Sequence, residues 1–153
     1  MTIKSITPFL WFDTQAEDAA NFYVPLFPDS KIIHVSRYGD AGPGPKGSAM
    51  MVIFELAGRR FMAMNGGPNF KLDEAFSIYV DCTEQGDIDR LWNALGDKPS
   101  VCGWTRDKFG LSWQINYTGL PELLNGPRAD KVFAAMMKMT KTDIQALKDA
   151  AGG

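Results

Sequence analysis

The feature that most limits the fold of this chain is a weak internal repeat. A β-rich stretch leads into a helix with apolar periodicity near the N-terminus, and the same order starts again at about residue 72. Thr14 and Thr83 lie 69 positions apart, as do Tyr23 and Trp92, while the strands before them fit better at a spacing of 68. The repeat predicts two modules, each with the order strand-helix-strand-strand-strand.

In the first module, Thr14 and Glu17 form a capping box that predicts the start of a helix. Pro8 marks the preceding strand as an edge or bulged strand, because proline has no N–H to donate to a ladder. Ala57 and Gly58 predict a tight hairpin turn. We expect strands at residues 4–12, 31–38, 48–56 and 59–65.

The second module begins with an expected strand at residues 75–81 and a helix that Thr83 caps and Gly96 ends. A closing hairpin follows at residues 102–115, turning at the tetrapeptide Asp-Lys-Phe-Gly. Only about fifteen residues separate Gly96 from the last strand, so one strand is lost or shortened. The turn residues are expected to be solvated, namely Arg106, Asp107 and Lys108.

From Leu120 onward the chain is predicted to be helical. It contains a short turn, a methionine-rich helix at residues 130–141, and a last helix that Thr142 and Gln145 open with a capping box. The methionine-rich helix is expected to serve as core or as a dimer contact, with a lid over a ligand as the alternative. The whole chain is predicted to be a single domain over residues 1–153, with modules at about 3–66 and 72–118 and a helical tail at about 120–151.

Composition excludes several functions. The net charge of −2 and the pI of about 5.3 provide no basic surface for nucleic acid. No apolar run approaches the ~20 residues that a membrane span needs, and the N-terminus lacks a signal-like apolar stretch, which favours a cytoplasmic location. Cys82 and Cys102 are expected to be buried free thiols.

Residues 42–47 formally match the dinucleotide-binding pattern G-x-G-x-x-G. Pro43 and Pro45 remove N–H groups that a pyrophosphate would need, and a strand follows where a helix should begin. We interpret the segment as a mobile loop that borders a cleft.

Motifs at residues 6–12 leading to 19–23, at 26–30, at 64–70, and at 102–104 through 112–115 make this chain similar to a known group. It resembles the vicinal oxygen chelate superfamily, which includes glyoxalase I, extradiol dioxygenases and bleomycin-resistance proteins. Within the superfamily it is most like the PhnB-like family labelled "3-demethylubiquinone-9 3-methyltransferase domain". The resemblance implies an α+β fold with two βαβββ modules, the second shortened, forming a cleft between curved mixed sheets, plus C-terminal helices. It also implies a homodimer.

The resemblance implies four metal-ligand positions, one on the first and one on the fourth strand of each module. In this sequence they fall at Thr7 or Pro8, at Phe61 or Met62, at Ala75, and at Gln114. Of these side chains only Gln114 is a good ligand, and the single histidine, His34, lies elsewhere. We therefore expect no cofactor and no metal site of the superfamily type, with a divalent metal on displaced ligands as the alternative.

Without metal ligands, the inward positions of the strands become candidates for binding a flat or apolar small molecule. The candidates are Thr7, Phe9, Trp11, Asn65, Ser77, Tyr79, Ser112 and Gln114. We predict a metal-free small-molecule binding protein with no identified catalytic residue. A simpler interpretation is that the aromatic side chains only fill the core of the protein. The alternatives are an enzyme of the superfamily, either metal-dependent or a methyltransferase, and a structural homodimer.

Overall fold

The computed structural model describes all residues 1–153 and divides them into two compact units, residues 1–72 and 73–153. Each unit contains one four-stranded mixed sheet, and neither sheet closes into a barrel. The α+β class and the two βαβββ modules are confirmed. No helix has the length and apolar character needed to cross a membrane.

The first unit has the element order βαβββ. Its elements are β1 (Phe9–Phe12), α1 (Ala16–Tyr23), a 3₁₀ turn (Val24–Leu26), β2 (Lys31–Arg37), β3 (Ala49–Leu56) and β4 (Arg59–Asn65). The sheet order is β1-β4-β3-β2, with β1 parallel to β4 and the other pairs antiparallel. The predicted hairpin turn is confirmed, because Ala57 and Gly58 both have positive φ between β3 and β4.

One face of the first sheet packs against α1. Alternate residues of β1, β3 and β4 are buried there, together with the alanines and Tyr23 on the facing side of the helix. The strand residues of this core include Leu10, Phe12, Val52, Phe54, Phe61 and Ala63. The strand alternation leaves the opposite face of the sheet without a helix.

The capping box predicted at Thr14 is wrong. α1 begins at Ala16, and no side chain near it in sequence caps it. Instead Asn65, at the end of β4, accepts a hydrogen bond from Ala16 N at 2.8 Å and donates one to Ala49 O at 3.0 Å. A partner 49 residues away therefore satisfies a backbone group that the local sequence leaves open.

The second unit repeats the order βαβββ. Its elements are β5 (Ser77–Cys82), α2 (Gln85–Leu95), β6 (Lys98–Pro99), β7 (Trp104–Arg106) and β8 (Ser112–Tyr117). The sheet order is β5-β8-β7-β6, again with the first strand parallel to the last. The prediction of a shortened strand is confirmed by the two residues of β6 and three of β7. Thr83 does not cap α2, which follows Glu84, while Gly96 ends it as predicted.

Three helices complete the second unit: α3 (Leu120–Leu124), α4 (Ala129–Met137) and α5 (Ile144–Ala151). They form a small core around Leu120, Val132 and Leu147. The predicted capping box at Thr142 is wrong, because Asp143 caps α5 through Ala146 N. Thr142 is buried and its hydroxyl bonds Ile115 O and Asn116 Oδ1, which holds the tail to β8.

Both cysteines are free thiols. Cys82 is buried, and burial raises the pKa of its thiol to about 11, with Asp87 adding to the shift. Cys102 is only half-buried, so the expectation of burial is wrong for it; its Sγ lies 3.4 Å from Met136 O. Burial raises the pKa of this thiol as well. Neither environment favours a reactive thiolate.

Candidate functional site

The strand register of the second unit aligns polar side chains in two rows across the sheet face opposite α2. Ser77 pairs with Ser112, which pairs with Arg106, which pairs with Lys98. In the next row Tyr79 pairs with Gln114, which pairs with Trp104. Because partners in register share a face, these seven residues form one surface, the second helix-free face. It contains four predicted candidates: Ser77, Tyr79, Ser112 and Gln114.

Gln114 and Ser112 differ in how their polar atoms are satisfied. Gln114 Nε2 donates to Ser77 Oγ at 2.9 Å, so the amide links β8 to β5. Ser112 is only 1% exposed, and its Oγ has no hydrogen-bond partner. A buried hydroxyl without a partner costs free energy, and each such group in a native structure needs an explanation.

A cavity of about 320 Å³ adjoins this face at the β6 and β7 edge. Its lining residues are Glu74, Lys98, Ser100, Val101, Trp104, Thr105, Arg106 and Ser112. Arg106 Nη1 lies 3.3 Å from Glu74 Oε1, and Lys98 adds a second positive charge to the wall. The volume is at the lower end of the range of small-molecule sites.

Tyr79 also lies on the second helix-free face and is 44% exposed. Partial burial raises the pKa of its phenol, and the neighbouring charge of Asp81 raises it further. The group therefore stays protonated at neutral pH and presents a hydrogen-bond donor beside Gln114.

The first sheet has a helix-free face built on the same register but with different side chains. Its two rows are Phe9, Met62, Ile53 and His34, and Trp11, Met64, Met51 and Ser36. Phe9 is 50% exposed, while Trp11 donates from Nε1 to Gly67 O at 2.9 Å and meets the Phe70 ring edge-on at 5.0 Å. This first helix-free face contains the predicted candidates Phe9 and Trp11.

Two predicted candidates of the first unit lie away from that face or at its border. Asn65 shares the parity of Phe61 and Ala63, so its side chain lies on the α1 side, where it caps the helix. The backbone carbonyl oxygen of Asn65 also accepts a hydrogen bond from Tyr38 Oη at 3.0 Å. Thr7 is half-buried and precedes β1 rather than belonging to it.

Sequence reasoning placed Asp107 in solvent, and this is wrong. Asp107 is 3% exposed and closes the β7–β8 turn from inside. Its carboxylate accepts from Phe109 N at 2.8 Å, Leu111 N at 3.1 Å and Trp113 Nε1 at 2.8 Å. Aspartate at the first position of a four-residue turn often bonds the backbone ahead of it, which was the available signal. Arg106 is likewise engaged, through Glu74.

The donor set does not suit the divalent metal of the superfamily. The implied positions offer a threonine or proline, a phenylalanine or methionine, an alanine and Gln114, and no three His, Cys, Asp or Glu side chains converge. The register also relates Gln114 to Met64 in the first unit, since both lie in the second row of their sheets. The position on β4 that corresponds to Gln114 is therefore Met64, and not Phe61 or Met62 as the sequence predicted.

The glycine-rich segment 42–47 lies in a loop before β3 and starts no helix, in agreement with the rejection of a dinucleotide site. Gly42 and Gly44 enclose the Tyr38 ring, and a Cβ built on either would lie about 2.5 Å from it. The loop borders a cavity of about 420 Å³ near the start of α1.

Comparison with known proteins extends this picture. The model of the family described as 3-demethylubiquinone-9 3-methyltransferase matches residues 4–116. A solved PhnB protein from Bacillus cereus, provisionally described as a 3-demethylubiquinone-9 3-methyltransferase, is 35% identical, with 75% of this chain and all of that chain covered and a TM-score of 0.69. No curated protein matches this sequence.

Two more distant solved structures share the fold. A protein from Pseudomonas aeruginosa is 22% identical over 75% of this chain and 98% of its own, with a TM-score of 0.60. A gene product from Arabidopsis thaliana is 16% identical over 74% of this chain and 98% of its own, with a TM-score of 0.50.

Both units have the order βαβββ with the first strand parallel to the last, which is the fold that the resemblance to the vicinal oxygen chelate superfamily implies. The chain belongs to the PhnB-like 3-demethylubiquinone-9 3-methyltransferase family.

Proposed function

We propose that this protein binds a small organic molecule on the second helix-free face and needs no metal to do so. The observation that carries the proposal is the cavity of about 320 Å³ beside that face, whose wall combines Trp104 with cationic and hydroxyl groups. A concave site with an aromatic wall and a few polar groups is the usual form of a small-molecule site. Tyr79 and Gln114 extend the same surface with a phenol and an amide.

The proposal of a metal-free site rests on side-chain chemistry. Gln114 is the one good donor among the implied ligand positions, and its amide nitrogen bonds Ser77. A divalent ion needs several oxygen or nitrogen ligands in one place. The side chains around Gln114 offer a phenol, a serine hydroxyl and an indole instead.

Thermal unfolding tests this proposal directly. Purified protein is heated with EDTA, with Ni²⁺, Zn²⁺ or Mn²⁺, and with a panel of single-ring aromatic compounds, because a ligand that binds only the folded state raises the midpoint. We expect stabilisation by members of the aromatic panel and no change on chelation. Stabilisation by a metal and loss of it with EDTA would refute the metal-free proposal, and no effect of any aromatic compound would refute binding.

Methyl transfer is the competing function, because the family description names it. The usual methyltransferase uses a doubly wound sheet with a glycine-rich turn into a helix. Here the glycine-rich segment 42–47 encloses Tyr38 and leads into a strand. Adding S-adenosylmethionine to the same unfolding experiment separates the two functions, and a raised midpoint with it would favour the transferase.

We also expect the protein to form a homodimer. Two large apolar side chains of α4 are exposed to solvent: Phe133 is 52% exposed and Met137 is 47% exposed. Exposed apolar side chains of this size are typical of a protein–protein contact. Analytical ultracentrifugation at micromolar concentration tests this, and a monomer would contradict it.

A further inference from the structure

We infer that the cavity beside the second helix-free face selects an aromatic carboxylate: an organic anion with one flat ring. This inference rests on the proposed function and specifies its ligand class. The cavity wall provides a cationic end from Lys98 and Arg106, a buried hydroxyl donor from Ser112 and an aromatic ring from Trp104.

The cationic end comes from Lys98 and Arg106, which are neighbours across β6 and β7. One carboxylate in the wall, Glu74, pairs with Arg106, so the charged side chains of the wall have a surplus of one positive charge. A guanidinium binds a carboxylate through parallel N–H groups, which makes Arg106 a suitable anchor for an organic acid. The same surplus of positive charge would repel a cationic ligand.

The buried donor is the Ser112 hydroxyl. Ser112 pairs with Arg106 in the sheet, and the two side chains point to the same face. Its Oγ is inaccessible to solvent in the free protein and has no protein partner, although a serine hydroxyl both donates and accepts. A carboxylate bound to Arg106 is an acceptor of the kind this hydroxyl lacks.

A second unpartnered hydroxyl, on Thr105, provides the contrast. Thr105 also touches the cavity, but it pairs with Trp113, so its side chain lies on the α2 side of the sheet. Its Oγ1 lies 3.8 Å from the position of a Cβ built on Gly96, at the end of α2. The two hydroxyls are equally buried, and only that of Ser112 shares a face with Arg106.

Glu74 occupies the anchor in the free protein. Its side chain is 64% exposed and lies 3.3 Å from Arg106, a distance and exposure typical of a weak surface ion pair. A ligand carboxylate can therefore replace Glu74 at Arg106 without a large loss of protein stability. The apolar side of the cavity, formed by Trp104 and the half-exposed Val101, then contacts the ring.

The test is an NMR titration of the full chain with three ring compounds of similar size: benzoate, benzamide and benzamidine. They differ in charge at the carboxyl position, being negative, neutral and positive. We expect benzoate to bind at least tenfold more tightly than benzamide, and benzamidine to bind least. Equal or tighter binding of benzamidine would overturn the inference.

Variants assign the effect to residues. Arg106→Gln and Ser112→Ala are each expected to weaken benzoate binding about tenfold or more, as the loss of a hydrogen bond to a charged group predicts. Glu74→Gln is expected to strengthen it, because the competing carboxylate is removed. The matched control is Arg60→Gln, which breaks a similar arginine–glutamate pair at 3.7 Å in the first unit, away from the cavity. This control should not change benzoate binding.

The stability of Ser112→Ala makes the test independent of folding. Removing an unpartnered buried hydroxyl should leave the midpoint of unfolding unchanged or raised, and Thr105→Val should do the same. If Ser112→Ala keeps full benzoate binding, the hydroxyl has no ligand role and the inference is wrong. If benzamide and other neutral rings bind while benzoate does not, the inference fails and the proposed function stands; if no ring compound binds, both fail.

Discussion

The two helix-free faces use the same backbone register, but the first is mainly apolar and the second mainly polar. Corresponding positions in the first and second sheets are Phe9 and Ser77, Met62 and Ser112, Ile53 and Arg106, His34 and Lys98, Trp11 and Tyr79, Met64 and Gln114, and Met51 and Trp104. The helix-side faces are mainly apolar in both units, with Asn65 and Thr105 as polar exceptions. The two units therefore agree mostly in what packs against the helix, and the two sheets differ more where no helix constrains the side chains.

The largest expected effect concerns the hairpins, which close differently in the two units. Asp107→Ala removes the acceptor of three hydrogen bonds, two of them from buried groups, and should lower the free energy of unfolding by about 3 kcal/mol or more. Ala57→Gly, in the equivalent turn of the first unit, should change it by less than about 1 kcal/mol, because glycine also accepts the positive φ of 48°. Urea denaturation measures both. Similar effects in the two hairpins would contradict the comparison.

The next effect concerns Trp11 on the first face. A Cβ at Gly66 would lie 2.3 Å from the indole, so Gly66→Ala must displace the ring and should cost about 1–3 kcal/mol. Gly86, in α2 of the second unit, has nothing within 4 Å of a built Cβ, and Gly86→Ala should instead stabilise by up to about 1 kcal/mol. Denaturation with tryptophan fluorescence follows both. Tolerance of Gly66→Ala would show that the indole is loosely held.

A smaller effect tests how far the first face is accessible. Met64 is half-buried and corresponds to Gln114, so Met64→Gln copies the chemistry of the second face and should cost no more than about 1 kcal/mol. Phe61→Ala, on the helix side of the same strand, should cost about 3 kcal/mol or more. Urea midpoints compare the two. A large loss for Met64→Gln would mean that this face is covered in solution.

The smallest effects come from one exposed carboxylate on the helix of each unit. A hydrogen-bonded ion pair with Arg37 lowers the pKa of Glu17, and hydrogen bonds from Lys141 and Gln85 lower that of Asp89. A lowered pKa in the folded state means that the contribution is present above the ordinary values of 4.5 and 3.8 and is lost as the pH falls through the lowered ones.

Glu17→Gln and Asp89→Asn should therefore reduce the loss of stability between about pH 5 and 2, with little change in the shape of the curve at neutral pH. Urea midpoints across this range, with carboxyl ¹³C titration of the parent protein, provide the check. Ordinary pKa values for both carboxyls would contradict the ion pairs.

The sequence predicts the elements of this fold well because strand alternation and helical periodicity are local. It fails at two helix starts for different reasons. The distant Asn65 caps α1, whereas at α5 the neighbouring Asp143 is the cap and the Thr142 hydroxyl bonds Ile115 O and Asn116 Oδ1 instead. Threonines with a Glu or Gln three positions on look like caps in both places, but tertiary hydrogen bonds decide the outcome.

The candidate site was predictable in part. Ser77, Tyr79, Ser112 and Gln114 come together because parity alone puts them on one face of paired strands. Lys98, Trp104 and Arg106 were missed because β6 and β7 have two and three residues, too few for an alternation to be read. The prediction for Asp107 was wrong because a carboxylate in a turn is expected to be solvated, and the sequence does not reveal its hydrogen bond from Trp113 Nε1.

The Asn65 cap has a consequence for the order of folding. α1 has eight residues, too few for a stable helix on its own, and its first N–H finds a partner only when the end of β4 reaches it. Helix formation and sheet closure in the first unit are thus a single cooperative event, and an isolated peptide of residues 1–40 should remain largely unstructured. Asn65, the last residue of β4, therefore completes the hydrogen bonding at the start of α1.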